Sequence, residues 1–161
     1  MKLLSDLFNV QEVWAHCDIP CGIYETNTLL VSAQTVIRMV EVMEAIPMDK
    51  PSLKDRNNFI RCVKVKEGNA QLCEEQLITL WADFFRPEHL EKFPDLHDKV
   101  WKAVKLASDN RQDVSMEKAK ELMFACLAVA DMFDKVKVEP KDNLAGSVSD
   151  NPDAPKKKFL G

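Results

Sequence analysis

Between Ser115 and Phe133 the apolar residues Ala119, Leu122, Cys126, Val129 and Phe133 recur at spacings that alternate between three and four. That period puts them on one stripe of an α-helix, and such a stripe has to be buried against another element. Ser115 stands where a helix N-cap is preferred. Three further segments carry the same signature. From about Asn27 to Ala45, Leu29, Ala33, Val36, Val40 and Met43 share a face, with Asn27 or Thr28 available as the cap. Pro47 and Pro51 break that pattern, and Ser52 can cap a second segment carrying Phe59, Cys62, Val63, Leu72, Cys73, Leu77, Leu80 and Trp81. Gly68 weakens its middle by about 1 kcal/mol relative to alanine. Phe85-Arg86-Pro87 and Phe93-Pro94 punctuate the next stretch, after which Leu96, Val100, Trp101, Val104 and Ala107 mark a third helix. No alternating strand pattern competes. Four helices separated by short breaks bury their stripes most economically as an antiparallel four-helix bundle, so the chain is expected to be all-α.

Composition narrows the function classes. The 161 residues carry 22 Lys+Arg against 26 Asp+Glu, a net charge of -4, with no basic stripe interleaved with aromatics. A nucleic-acid partner is therefore not expected. No apolar run approaches the roughly 18 to 20 residues that span a bilayer, so no membrane-spanning helix is expected either. Four glycines, with no GxGxxG or GxxxxGK, leave no phosphate loop. Five cysteines are an odd number in a chain large enough to bury a core, which argues against a disulfide scaffold. Ser5, Asp6, Asn9, Gln11 and Glu12 interrupt the apolar core that a secretory signal needs, so the sequence points to the cytoplasm. From Lys135 onward the chain turns polar, with Pro140, Pro152, Pro155 and a final Lys156-Lys157-Lys158, and reads as a flexible tail.

The chemistry is concentrated in His16-Cys17-Asp18-Ile19-Pro20-Cys21-Gly22-Ile23-Tyr24, where Pro20 and Gly22 forbid regular helix. One imidazole and two thiols fall within six residues. Soft thiolates with imidazole suit zinc, copper(I) or nickel, whereas calcium and magnesium take oxygen ligands. The C-x3-C spacing is not the C-x2-C of a zinc knuckle or a thioredoxin motif, and an incidental cysteine pair fits the spacing equally well.

The nine residues resemble the amino-terminal hook of the nickel superoxide dismutases, whose pattern is His-Cys-Asp-x-Pro-Cys-Gly-x-Tyr. The stretch Leu80-Trp81-Ala82-Asp83-Phe84-Phe85-Arg86-Pro87-Glu88-His89-Leu90-Glu91-Lys92-Phe93-Pro94-Asp95-Leu96-His97 is similar to the family's second signature. The resemblance runs from His16 to about Val136. It implies a four-helix bundle over 25–136 preceded by a metal-binding hook at 16–24, with residues 1–15 matching, in role only, a leader removed by a processing protease; the polar tail at 137–161 lies outside the resemblance. It also implies an antioxidant oxidoreductase that converts superoxide to oxygen and hydrogen peroxide, with one nickel ion per subunit of a homohexamer.

On that resemblance the metal ligands are His16, Cys17 and Cys21. The freed α-amine of His16, the deprotonated backbone nitrogen of Cys17 and the two thiolates would lie in one plane, with the His16 imidazole axial. Pro20 and Gly22 would shape the hook. Tyr24, the only tyrosine in the chain, would line the substrate entrance with its hydroxyl, a packed aromatic being the alternative; Asp18 would flank the same entrance or serve as a solvated turn carboxylate. The family's buttress for the axial imidazole, an acid and a downstream arginine, is replaced by Ser32 and Asn69. His89 and His97 read as structural hydrogen-bonding or assembly residues, Cys62, Cys73 and Cys126 as small buried hydrophobes, and Trp81 and Trp101 as core or subunit-interface anchors. The alternative function is a nickel or other soft-metal binding or trafficking module without turnover.

Overall fold

The structure, a computed structural model, describes residues 24–137. The expected leader, the hook up to Ile23 and the tail beyond Lys137 lie outside the described residues. Four long helices, α1 (Asn27–Glu44), α2 (Leu53–Thr79), α4 (Leu96–Gln112) and α5 (Met116–Lys137), dominate, and α2 leads through a π-turn (Leu80–Phe84) to a short α3 (Pro87–Lys92). No strand occurs among the described residues. Among them, too, no helix is long and apolar enough to cross a membrane.

The expected stripes form the core. Leu29, Ala33, Val36 and Val40 of α1 meet Ala70, Cys73 and Leu77 of α2, Leu96, Val100, Ala103 and Ala107 of α4, and Ala119, Leu122, Cys126, Val129 and Phe133 of α5 in one buried cluster. Helix α1 packs on α2 and α5, and α4 packs on the same two, which leaves α2 and α5 on a diagonal. Neighbours run antiparallel. The thiol of Cys73 near the end of α2 donates to the Leu29 carbonyl near the start of α1. Trp81, just past α2, bonds His97 in the first turn of α4.

The caps follow the sequence in two cases and depart from it in one. Ser52 and Asp55 form a reciprocal capping box at the start of α2, and Ser115 Oγ accepts the Lys118 N–H at the start of α5. At α1 the cap is neither Asn27 nor Thr28. Thr26 holds the N-cap position without a side-chain bond, and the Glu25 carboxylate, one residue earlier, accepts the N–H groups of Asn27 and Thr28 at 3.0 and 3.3 Å. A negative group there also complements the helix dipole.

Helix α2 is continuous through Gly68. Its one buried charge is Lys66, 1% exposed, which donates to the backbone carbonyls of Asn110 and Asp113 at the end of α4. The Asn110 side chain bridges the carbonyls of Leu106 and Lys118. Two otherwise orphaned helix-end carbonyls and the turn into α5 are thereby tied to α2.

Two expectations about the core are corrected. Trp81 is 45% and Trp101 60% exposed, so neither is a core anchor and only the subunit-interface reading stays open for them; on α4 the inward positions are filled by Val100 and Ala103, and the Trp101 indole falls outside that arc. Phe59, Cys62 and Val63 are only half-buried.

Candidate metal centre

Of the residues singled out by the sequence, His16, Cys17, Asp18, Pro20, Cys21 and Gly22 lie outside the described residues, and Tyr24 lies within them. The described residues begin at Tyr24, the last residue of the expected hook. Tyr24 is buried in the core cluster, its ring 5.6 Å from that of Phe84 and inclined at 59°. Phe84 sits 4.4 Å from Phe133 of α5 and 5.2 Å from Phe85. The aromatic cluster is completed by His89 of α3, 6.0 Å from the rings of both Phe84 and Phe85.

The π-turn explains how Phe84 reaches Tyr24. The Phe85 N–H donates to the Leu80 carbonyl five residues back at 2.9 Å, so the turn accommodates one residue more than an α-helix. Phe85 is then extended, and Pro87 opens α3 at a position where its missing N–H costs nothing. His89 Nδ1 accepts the N–H of Arg86 at 3.1 Å, pinning the entry to α3. Structural roles for the histidines are thus borne out: His97 Nδ1 likewise accepts from the Trp81 indole at 2.7 Å.

The last turn of α5 closes the same end of the bundle. Lys137 Nζ donates to the Tyr24 carbonyl at 2.8 Å and lies 5.1 Å from the centre of the Phe133 ring. Lys92 of α3 donates to the Lys135 carbonyl at 3.3 Å, and Lys135 pairs with Asp131. The Glu25 carboxyl is held below its usual value, chiefly by the Thr28 hydroxyl bonded to it. Sequence reasoning missed Lys137, which stands at the expected start of the polar tail, and it gave Phe84 no role.

Among the described residues no group of three or more His, Cys, Asp or Glu is disposed to hold a metal ion. Cys73 and Cys126 are fully buried, as expected of small hydrophobes, and the Cys126 thiol is pushed upward by its hydrogen bond to Cys73 and by burial. The Cys126 thiol is therefore held in its protonated, unreactive form. Cys62 is only partly buried. Ser32 is buried in α1, and the Asn69 amide donates to the Val65 carbonyl of its own helix at 2.8 Å. Neither position carries a charge.

Comparison with known proteins agrees with this arrangement. The family model described as nickel-containing superoxide dismutase matches residues 11–137. A superoxide dismutase [Ni] of Streptomyces seoulensis is 39% identical over 108 residues, 66% of this chain and 76% of that protein. Its counterpart in Streptomyces coelicolor is 35% identical over 121 residues, 73% and 87% of the two chains. Among solved structures, a native nickel superoxide dismutase covers 76% of this chain and 99% of its own at 28% identity and a TM-score of 0.66. A nickel-containing superoxide dismutase with ligation corresponding to the oxidised state covers 76% and 98% at 30% identity, with the same TM-score.

Proposed function

Because the chain belongs to the nickel-containing superoxide dismutase family, we propose that its nickel ion is held by His16, Cys17 and Cys21 and that the Tyr24 end of the bundle is where superoxide reaches it. The activity is the dismutation of superoxide by a nickel enzyme; a binding module without turnover is not favoured. When bound, nickel supplies a one-electron couple that superoxide can drive in both directions, giving oxygen in one half-reaction and hydrogen peroxide in the other.

The donor set fits the metal. Two thiolates, an amine, a backbone amide nitrogen and an imidazole are soft or nitrogen donors, suited to nickel and unsuited to magnesium or calcium. On this reading the Cys17 and Cys21 thiolates and the Cys17 nitrogen provide anionic donors that favour the higher oxidation state. The α-amine of His16 completes the set, and its imidazole adds a further donor. Pro20 and Gly22 shape the turn that returns Cys21 to the same ion. Tyr24 turns its hydroxyl to the approaching anion while its ring stays anchored on Phe84, and Asp18 flanks the approach. The observation that carries the reading is the H-C-D-I-P-C-G-I-Y run, inside the matched residues and leading directly into the buried Tyr24.

The amine requires processing. While Ala15 precedes His16, that nitrogen is an amide and cannot serve as a neutral amine donor, so residues 1–15 act as a leader that a protease removes. The mature subunits assemble as a homohexamer in the cytoplasm. The exposed apolar side chains Ile60, Trp101 and Phe124, each at least 60% accessible on a single subunit, support burial on assembly. The test is to compare the 161-residue chain with one beginning at His16, both supplied with nickel, and to add Cys17→Ser and Cys21→Ser variants. Turnover only in the His16-initiated chain, abolished by either serine, is expected. Equal turnover in the unprocessed chain refutes the amine donor, and turnover above a few per cent in a serine variant refutes the thiolates.

A further inference from the structure

The last residue of α5 touches the residue at which the hook ends. Lys137 Nζ donates to the Tyr24 carbonyl across 113 positions of sequence, and its ammonium lies 5.1 Å from the centre of the Phe133 ring. Phe133 contacts Phe84, and Phe84 contacts the Tyr24 ring. Tyr24 is therefore held twice, by its ring and by its carbonyl. That carbonyl precedes the hydrogen-bond ladder of α1, whose first acceptor is Thr26 bonded by Leu30 N–H at 3.1 Å. The grip comes from the far end of the chain instead.

Neighbouring cations are otherwise engaged. Lys135 is paired with Asp131 at 2.5 Å, Lys92 bonds the Lys135 carbonyl, and Arg86 lies 3.9 Å from Glu88. The Glu25 carboxylate, fixed by Asn27 and Thr28, adds a negative field that favours an ammonium at this spot. Cys21 is three residues from Tyr24, about 11 Å of fully extended chain. Only three peptide bonds separate Tyr24 from the proposed Cys21 ligand.

We propose that Lys137 is a positioning residue, a clamp that fixes the exit of the metal-binding hook to the bundle by holding the Tyr24 carbonyl. The role in metal binding rests on the nickel assignment above, whereas the clamp itself belongs to the protein chain. Groups that hold and orient a ligand, without touching the metal, typically change affinity or activity by 10–100-fold when removed. Lys137 acts through intervening backbone, so the lower end of that range, about tenfold, is expected.

The test uses Lys137→Met, which keeps an apolar stem against Phe133 but removes the donor and the charge, and Lys137→Arg, which keeps both. In the metal-free full chain, hydrogen exchange of the peptide from Tyr24 to Leu29 should quicken by about fivefold or more in Lys137→Met, with α4 unchanged. In nickel-loaded protein beginning at His16, Lys137→Met should bind nickel about tenfold more weakly and give a weakened nickel(III) electron-resonance signal per bound ion. Lys137→Arg should restore both. Wild-type exchange and signal in Lys137→Met overturn the clamp, and so does an arginine variant that behaves like methionine. A Cys17→Ser control run alongside separates the two readings: turnover in that variant refutes the nickel ligands, while the exchange measurement, which needs no metal, still decides the clamp.

Discussion

Replacing Lys66 by methionine probes whether a buried charge organises the α4–α5 turn. The side chains are similar in length, so the substitution removes the ammonium without opening a large cavity. Two carbonyls lose their donor. The Asn110 carbonyl is buried with Lys66 and has no route to water through that contact, which costs about 1–3 kcal/mol; the Asp113 carbonyl is only partly buried and can be hydrated. Against this loss stands the desolvation of the ammonium, which methionine avoids. The Asn110 amide still bridges Leu106 and Lys118, so the turn keeps part of its bracing. A net loss of about 2 kcal/mol is expected, lowering the urea midpoint by about 1 M for a slope of 2 kcal/mol/M, at matched protein concentration.

The same variant carries a pH signature. Burial holds the Lys66 pKa below its ordinary value of 10.5. Between the lowered value and 10.5 the unfolded chain binds more protons than the folded one, so wild-type stability gains a contribution that rises with pH across that window. Lys66→Met lacks that contribution, and the gap between the two proteins should widen as pH approaches 10.5. A methionine variant as stable as wild type at neutral pH, with the gap constant up to pH 10, refutes the reasoning.

Gly68→Ala should stabilise the protein by about 0.5–1 kcal/mol, because an added Cβ meets nothing within 4 Å and the helix gains propensity; an unchanged or lower thermal midpoint counts against it. Ser52→Ala should cost about 1 kcal/mol through loss of the α2 cap. Its acid limb is diagnostic: the Ser52 hydroxyl holds the Asp55 carboxyl below its usual value of 3.8, so the wild-type bond contributes above that value and is lost as pH falls through the lowered one. The difference between the two proteins in urea denaturation should shrink in strong acid. Tyr24→Phe should lower turnover by less than tenfold and leave nickel content unchanged, since the ring contact with Phe84 survives; loss of nickel on metal analysis would show that the hydroxyl holds the hook together.

The long helices were legible because their stripes are strictly periodic, as in Ala119 to Phe133, and their caps are chemically marked, as at Ser52 and Ser115. The start of α1 misled because the capping group, Glu25, lies before the N-cap position, where local preference does not look for it. The run Leu80-Trp81-Ala82-Asp83-Phe84-Phe85 is apolar in two directions, so its period identifies neither the π-turn nor which aromatics turn inward. Helix α3 has six residues between Pro87 and Phe93, too few to show a stripe. The proposed ligands stand out in the sequence because their types crowd into nine residues. The hold of Lys137 on Tyr24 does not, since a lysine at the edge of a polar stretch carries no mark of a partner 113 residues away.

The extra residue in the turn from Leu80 to Phe84 makes the aromatic cluster sensitive to counting as well as to chemistry. Substitution at the exposed Ala82 leaves the backbone path intact, whereas deleting it would let the turn close into an α-helix and rotate the downstream chain by about 100°. Phe84 would swing away from Tyr24 and Phe133, and the segment from Phe85 to His89 would be carried off the cluster with it. Single-residue deletions between Leu77 and Phe85 should therefore be far less tolerated than point changes there. Chain length in this segment is itself a determinant of the site, set by a hydrogen bond from Phe85 to Leu80.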